Sequence, residues 1–263
     1  MINGNMVIDA HSHIWPAPLI PKISGFLSDY YKVQWQEGGT DKHCEKSMEQ
    51  YGIDKSVVFS VATKSTQVEN INNFISALPR DKFIPFGAMH QDYENYKAEL
   101  ARIKKLGLKG LKFHPDFQGV AIDDIRMMRI YDEVGDTLPM LFHLGDEKSD
   151  LSSPVRIANV LRQMPHLRII GAHFGGYQQW DLAVEELGPF KQMVFESSSS
   201  IRFIGAEKAT QLVRTFGVDR ICFGTDYPMI KQCDEIDMFM QLDLTEEERR
   251  QIFAENILRF IGE

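Results

Sequence analysis

The stretch "YKAELARIKKLGLKGLKFHPD", residues 96–116, contains one full period of the pattern that runs along this chain. Leu100, Ile103 and Leu106 recur at helical spacing, and Gly107 is a typical helix stop. The segment that follows, "LKGLKFH" (108–114), reads as a strand buried on both faces. At its end stand Lys112 and His114, two polar residues with site chemistry.

The same alternation appears on both sides. The other strand candidates are "MVIDAH" (6–11), "KSVVFSVA" (55–62), "KFIPFGAM" (82–89), "PMLFHLG" (139–145), "LRIIGAHF" (167–174), "QMVFESS" (192–198) and "RICFGTD" (220–226). Helical stretches such as "IDDIRMMRIYDEVG" and "GAEKATQLVRTFG" separate them. Strands that alternate with helices form parallel sheets through right-handed crossovers. Eight such units in 263 residues match a (β/α)₈ TIM barrel, which typically takes about 250 residues. The rival, an open doubly wound sheet, is disfavoured because no G-x-G-x-x-G follows the first strand. The expected architecture is one barrel domain over residues 1–263, with an extra C-terminal helix. That helix, "LTEEERRQIFAENILRFI", opens on a Thr245/Glu248 capping box. Residues 14–40 are expected to form a long aromatic loop before the next helix, placed over the barrel mouth.

Composition narrows the function classes. The chain is 43% hydrophobic and 25% charged, as in a soluble globular protein. A net charge of -8 argues against a nucleic-acid surface. No apolar run approaches the ~18 residues of a membrane span, and no secretory leader is visible. The three cysteines, Cys44, Cys222 and Cys233, form no C-x-x-C pair, which suits a cytoplasmic location. The expected partner is a small molecule, and a homo-oligomer is left open.

Polar residues gather where the strands end. Strand one ends "DAHSHIW", and His11 and His13, at i and i+2, would share a face. Strand four ends in Lys112 and His114, strand five in His143, strand six in His173 and strand eight in Asp226. The C-terminal ends of strands are where barrel enzymes keep their chemistry. Imidazoles with a carboxylate suit zinc or a similar divalent ion, beside which water becomes a usable nucleophile. His43 and His166 look structural, whereas His90 could line the mouth. "ESSSS" (196–200) reads as a serine-rich cap before it reads as pocket hydroxyls.

The set "DAHSHIW", "GLKFHP", "FHLG", "GAHFGG" and "CFGTDYP", in that order, resembles the amidohydrolase superfamily. More narrowly, it resembles the branch of aminocarboxymuconate-semialdehyde decarboxylase, γ-resorcylate decarboxylase and pyrone-dicarboxylate lactonase. The resemblance spans essentially the whole chain. It implies a barrel with one divalent metal, zinc first and manganese second, and leaves a second ion open. It implies His11, His13, His143 and Asp226 as metal ligands, Asp226 as proton acceptor, and His173 as a catalytic assistant. Lys112 matches the strand that carries a carboxylated lysine in two-metal relatives, but a non-ligand role is expected for it. His114, Trp15 and Arg202 are expected to contact substrate or support the ligands. The expected reaction is hydrolysis of an amide, ester or lactone by water activated at the metal. The alternative is metal-dependent, non-oxidative decarboxylation of an aromatic or unsaturated acid. A metal-free binding barrel is the third reading.

Overall fold

The computed structural model describes residues 1–2, 4–35 and 38–263. Eight parallel strands run in chain order: β1 (Ile8–His13), β2 (Lys55–Phe59), β3 (Phe83–Ala88), β4 (Gly110–Phe113), β5 (Met140–Phe142), β6 (Ile169–Gly171), β7 (Met193–Glu196) and β8 (Ile221–Cys222). Past β8, the chain continues alongside β1. The Ala10 amide donates to the Phe223 carbonyl at 2.8 Å, Asp226 to His11 at 2.9 Å and His13 to Tyr227 at 2.7 Å. This brings the sheet to a nearly closed TIM barrel, as the alternation predicts.

Alternate strand residues divide between two cores. Ile8, Ala10, Val57, Phe59, Phe86, Leu141, Ile170 and Val194 fill the barrel. Val58, Leu111, Phe113, Phe142, Phe195 and Phe223 pack outward against the helices. This period of two leaves Lys112, between Leu111 and Phe113, on the inner face.

The helices are α1 (Ile20–Tyr31), α2 (Asp41–Tyr51), α3 (Val68–Ser76), α4 (Tyr96–Lys105), α5 (Pro115–Gln118), α6 (Ile125–Val134), α7 (Pro154–Gln163), α8 (Trp180–Leu187), α9 (Ile201–Phe216), α10 (Gln232–Phe239), α11 (Glu246–Arg250) and α12 (Asn256–Ile261). Two differ from the sequence reading. The expected loop after β1 contains α1, whose Pro21 sits in the first helical turn, where its missing N–H costs nothing. The C-terminal helix keeps its Thr245/Glu248 capping box but splits into α11 and α12 around a π-helical turn, Gln251–Glu255. There the Ile252 carbonyl accepts from the Phe223 amide at 3.0 Å, tying the turn to the end of β8. Cys44, Cys222 and Cys233 are unpaired. No helix among the described residues is long and apolar enough to cross a membrane.

Candidate functional site

His11 and His13 reach the barrel interior through an irregularity. The β1–β2 register shifts between Asp9 and Ser12. Ile8 and Ala10 face the barrel core, so an unbroken strand would turn His11 outward. The shift re-aims it. Asp9 anchors this point, its carboxylate accepting from the amides of His11 and Thr225, the hydroxyls of Ser12 and Thr225, and Gln232.

One carboxylate then fixes the His11 ring. Glu196, at the end of β7 and fully buried, lies 2.8 Å from His11 Nδ1. A carboxylate only accepts, so Nδ1 carries the hydrogen and Nε2 presents a lone pair. Gly224 makes room for Glu196, because a Cβ at that position would collide with its carboxylate. His11 Nε2 lies 3.1 Å from His13 Nε2. Asp226 Oδ1 is 3.4 Å from the first and 3.5 Å from the second. Ligands at about 2.05 Å in tetrahedral array stand about 3.3 Å apart, so this triangle has the edges that a divalent ion requires. The donor set, two imidazoles and a carboxylate, is also right for zinc or manganese.

The electrostatics agree. Burial and the nearby Lys112 push the His11 imidazole well down, and burial lowers His13. Burial alone would raise Asp226. The field of His11 and a hydrogen bond from His13 outweigh it and hold the carboxyl well below the usual range. Ser199 Oγ donates to Asp226 Oδ2 at 2.6 Å.

The other expected residues fall around this triangle. Lys112 is fully buried, 3.5 Å from His11 Nε2 and over the Phe59 ring. Burial lowers its amine to about 7. His173 Nδ1 contacts the Ser198 carbonyl at 3.0 Å, and its Nε2 contacts His143 Nδ1 at 3.0 Å. His143 is thus one hydrogen bond from His173 and groups with His114 and Asp116 rather than with the triangle. His114 stacks between Phe117 and His143. Trp15 stacks on His13 and braces it. Arg202 lies on the wall of the pocket over Asp226, with no hydrogen bond or ion pair among the described residues. Tyr31, Tyr177 and Phe203 line the same pocket with Ser199, His143 and His173. Tyr31 comes from α1, so the segment after β1 does supply a wall. Burial raises the phenols of Tyr31 and Tyr177, which remain O–H donors.

Three readings change. The serines after β7 are not caps: Ser200 precedes α9 without a capping bond, while Ser199 serves Asp226. His90 is buried outside the pocket, with Nδ1 accepting the Asp92 amide. Sequence reasoning missed Glu196, although the strand-end rule that picked out the histidines applies equally to "FESS". His43 and His166 are exposed and do not line the pocket over Asp226. The backbone at the site departs from ordinary regions: His173, Ser199 and Asp226 all have positive φ, at 59°, 50° and 62°. Such strain clusters at functional sites.

Comparisons with known proteins follow the same line. A family model described as amidohydrolase matches residues 8–262. An uncharacterised TIM-barrel protein from Bordetella bronchiseptica superposes with a TM-score of 0.80 at 18% identity, covering 98% of each chain. A manganese-bound dihydroxybenzoic acid decarboxylase from Polaromonas sp. superposes at 0.75 with 16% identity, covering 98% of this chain and 97% of that one. A 5-carboxyvanillate decarboxylase from Sphingomonas paucimobilis superposes at 0.75 with 12% identity, covering 98% and 99%. No curated protein matches the sequence.

Proposed function

This chain belongs to the amidohydrolase family, and on that premise we propose that it is a metal-dependent, non-oxidative decarboxylase of a flat aromatic carboxylic acid. The observation that carries the reading is the pocket over Asp226. It combines aromatic walls, two phenol donors and Arg202 with Asp226, one corner of the metal-type triangle. Aromatic walls with hydrogen-bond donors suit a planar ring bearing a carboxylate and hydroxyls. The neighbours named above whose reaction is stated are decarboxylases of hydroxylated benzoates. They move the support from hydrolysis, the first expectation from sequence, to the alternative.

His11, His13 and Asp226 would hold the ion, with His143 as the fourth ligand expected from sequence and Glu196 fixing the His11 tautomer. Bound there, a divalent ion supplies Lewis-acid polarisation of substrate oxygens. Arg202 meets a substrate carboxylate or hydroxyl, and Tyr31 and Tyr177 donate to the remaining oxygens. Tyr31, Tyr177 and Phe203 flank the ring and exclude water. Asp226, held ionised, takes the phenolic proton as substrate binds. Its conjugate acid is then strong and returns that proton to the ring carbon. The carbon–carboxyl bond breaks, carbon dioxide leaves, and one solvent proton restores the phenol. Asp226→Asn removes this shuttle, and turnover should fall by about 10² or more. A variant with near-normal rate would exclude the role.

The direct test is a panel. Manganese- or zinc-loaded protein is incubated with 2,6-dihydroxybenzoate, 5-carboxyvanillate, lactones and amides. Carbon dioxide release from a hydroxybenzoate is expected. Hydrolytic products with no carbon dioxide would overturn the proposal.

A further inference from the structure

We propose that the substrate carries a second anionic group, a carboxylate or phosphate on an apolar arm, and that a cationic cavity outside the aromatic pocket receives it. This deepens the reaction proposed above and rests on it for the inner end of the substrate. The outer cavity has a volume of about 610 Å³, and the pocket over Asp226 about 40 Å³. The inner pocket falls short of the roughly 300–1,000 Å³ usual for a ligand site, whereas the outer cavity lies within that range. Val33, Arg202, Phe203, Met229 and Ile230 line both, so the two spaces adjoin across one rim. A molecule that fills the inner pocket and extends past this rim enters the outer cavity.

The charge of the cavity says what the extension carries. Its described lining holds Lys46, Arg202 and Lys231 against one carboxylate, Asp234. The whole chain has 37 acidic and 29 basic residues, so the balance is reversed here. Elsewhere the cations are paired: Arg126, Arg156, Arg162, Arg214 and Arg250 all meet carboxylates. Lys46, Arg202 and Lys231 have no hydrogen bond or ion pair among the described residues. Cations grouped in a cleft draw in anions, and an ammonium suits a carboxylate or phosphate oxygen. The cations stand on packed elements. His43, Lys46, Ser47 and Gln50, at i, i+3, i+4 and i+7, form one face of α2 that lines the cavity. Lys231 opens α10, which packs against α2 and α9. The rim, by contrast, is largely apolar. Its Phe203 is 49% exposed and stacks on Trp180, leaving a ring surface that an apolar arm would cover.

The test uses 2,6-dihydroxybenzoates that carry, opposite the carboxylate, a neutral butyl chain or the same chain ending in a carboxylate or a phosphate. Binding to the zinc-loaded protein is read by calorimetry, and carbon dioxide release is scored separately. An anionic end should tighten binding by about tenfold or more over butyl, and the larger gain identifies the group. Lys46→Glu and Lys231→Glu, both at exposed positions, should each remove that gain and leave turnover of plain 2,6-dihydroxybenzoate unchanged. Inorganic phosphate titrated into the metal-free protein reads the cavity without any ring: saturable binding that both variants weaken is expected. Equal affinity for neutral and anionic chains, a gain that survives in both variants, or phosphate binding that is absent or indifferent to them would overturn the proposal. So would a solution dimer in which a second copy covers Lys46 and Lys231. If the acids bind as predicted but none releases carbon dioxide, the reaction falls and the anion site stands.

Discussion

At the scale of single residues, Glu196 organises the centre. It fixes the His11 tautomer through Nδ1 and also accepts the backbone amides of His173 and Ser198 at 2.9 and 2.8 Å. Removing its charge should therefore act on metal affinity before it acts on folding. Glu196→Gln is expected to weaken manganese or zinc binding by about 10- to 100-fold in a chelator competition titration; unchanged affinity would mean that the tautomer is fixed elsewhere. Lys112 makes a pH-dependent prediction. Its amine is lowered to about 7 by burial, against 10.5 in the unfolded chain. Between those values the unfolded chain binds a proton that the native protein lacks, so stability rises with pH, and the penalty is complete below 7. Lys112→Met in the metal-free protein should thus be stabilising at about pH 6 and should lose that advantage by about pH 10. Denaturant melts at the two pH values check it, and an advantage that grows with pH would reverse the assignment. The residues that sequence placed at strand ends are at the site because period-two alternation and strand termini are local properties. Glu196 stands at a strand end as they do, but its role is a contact from β7 to His11 on β1, and a position at a strand end does not by itself encode that contact.

At the scale of elements, the decisive device is the register shift in β1. It turns His11 and His13 into the interior, while Asp9 pins the bend through Thr225 and Gln232. The expectation that both histidines share a face holds, but the sequence does not announce the irregularity that selects the inner face. Similarly, prolines after β1 suggested a loop, whereas Pro21 starts α1, and α1 delivers Tyr31 to the pocket. Capping is more legible. Thr245 accepts the Glu248 amide while Glu248 accepts the Thr245 amide, as the spacing requires. Thr245→Ala should cost about 1 kcal/mol in equilibrium unfolding and leave metal uptake unchanged. A loss of metal with it would show that the C-terminal helices couple to the centre.

At the scale of the whole molecule, the barrel was readable from alternation alone, because eight buried strands separated by amphipathic helices have few ways to close. What the reaction is was not readable, since hydrolysis and decarboxylation use the same ligands at the same strand ends. The proposed reading rests on the pocket walls, and those come from segments after β1, β6 and β7. The central claim is that this centre replaces a carboxylate on a ring carbon with a proton. Proton NMR of 2,6-dihydroxybenzoate turned over by manganese-free, zinc-loaded protein in D₂O tests it most directly. The account predicts resorcinol with deuterium at the carbon that lost its carboxylate, one per carbon dioxide released. A substrate recovered with its carboxylate intact, alongside turnover of a lactone or amide, would contradict it.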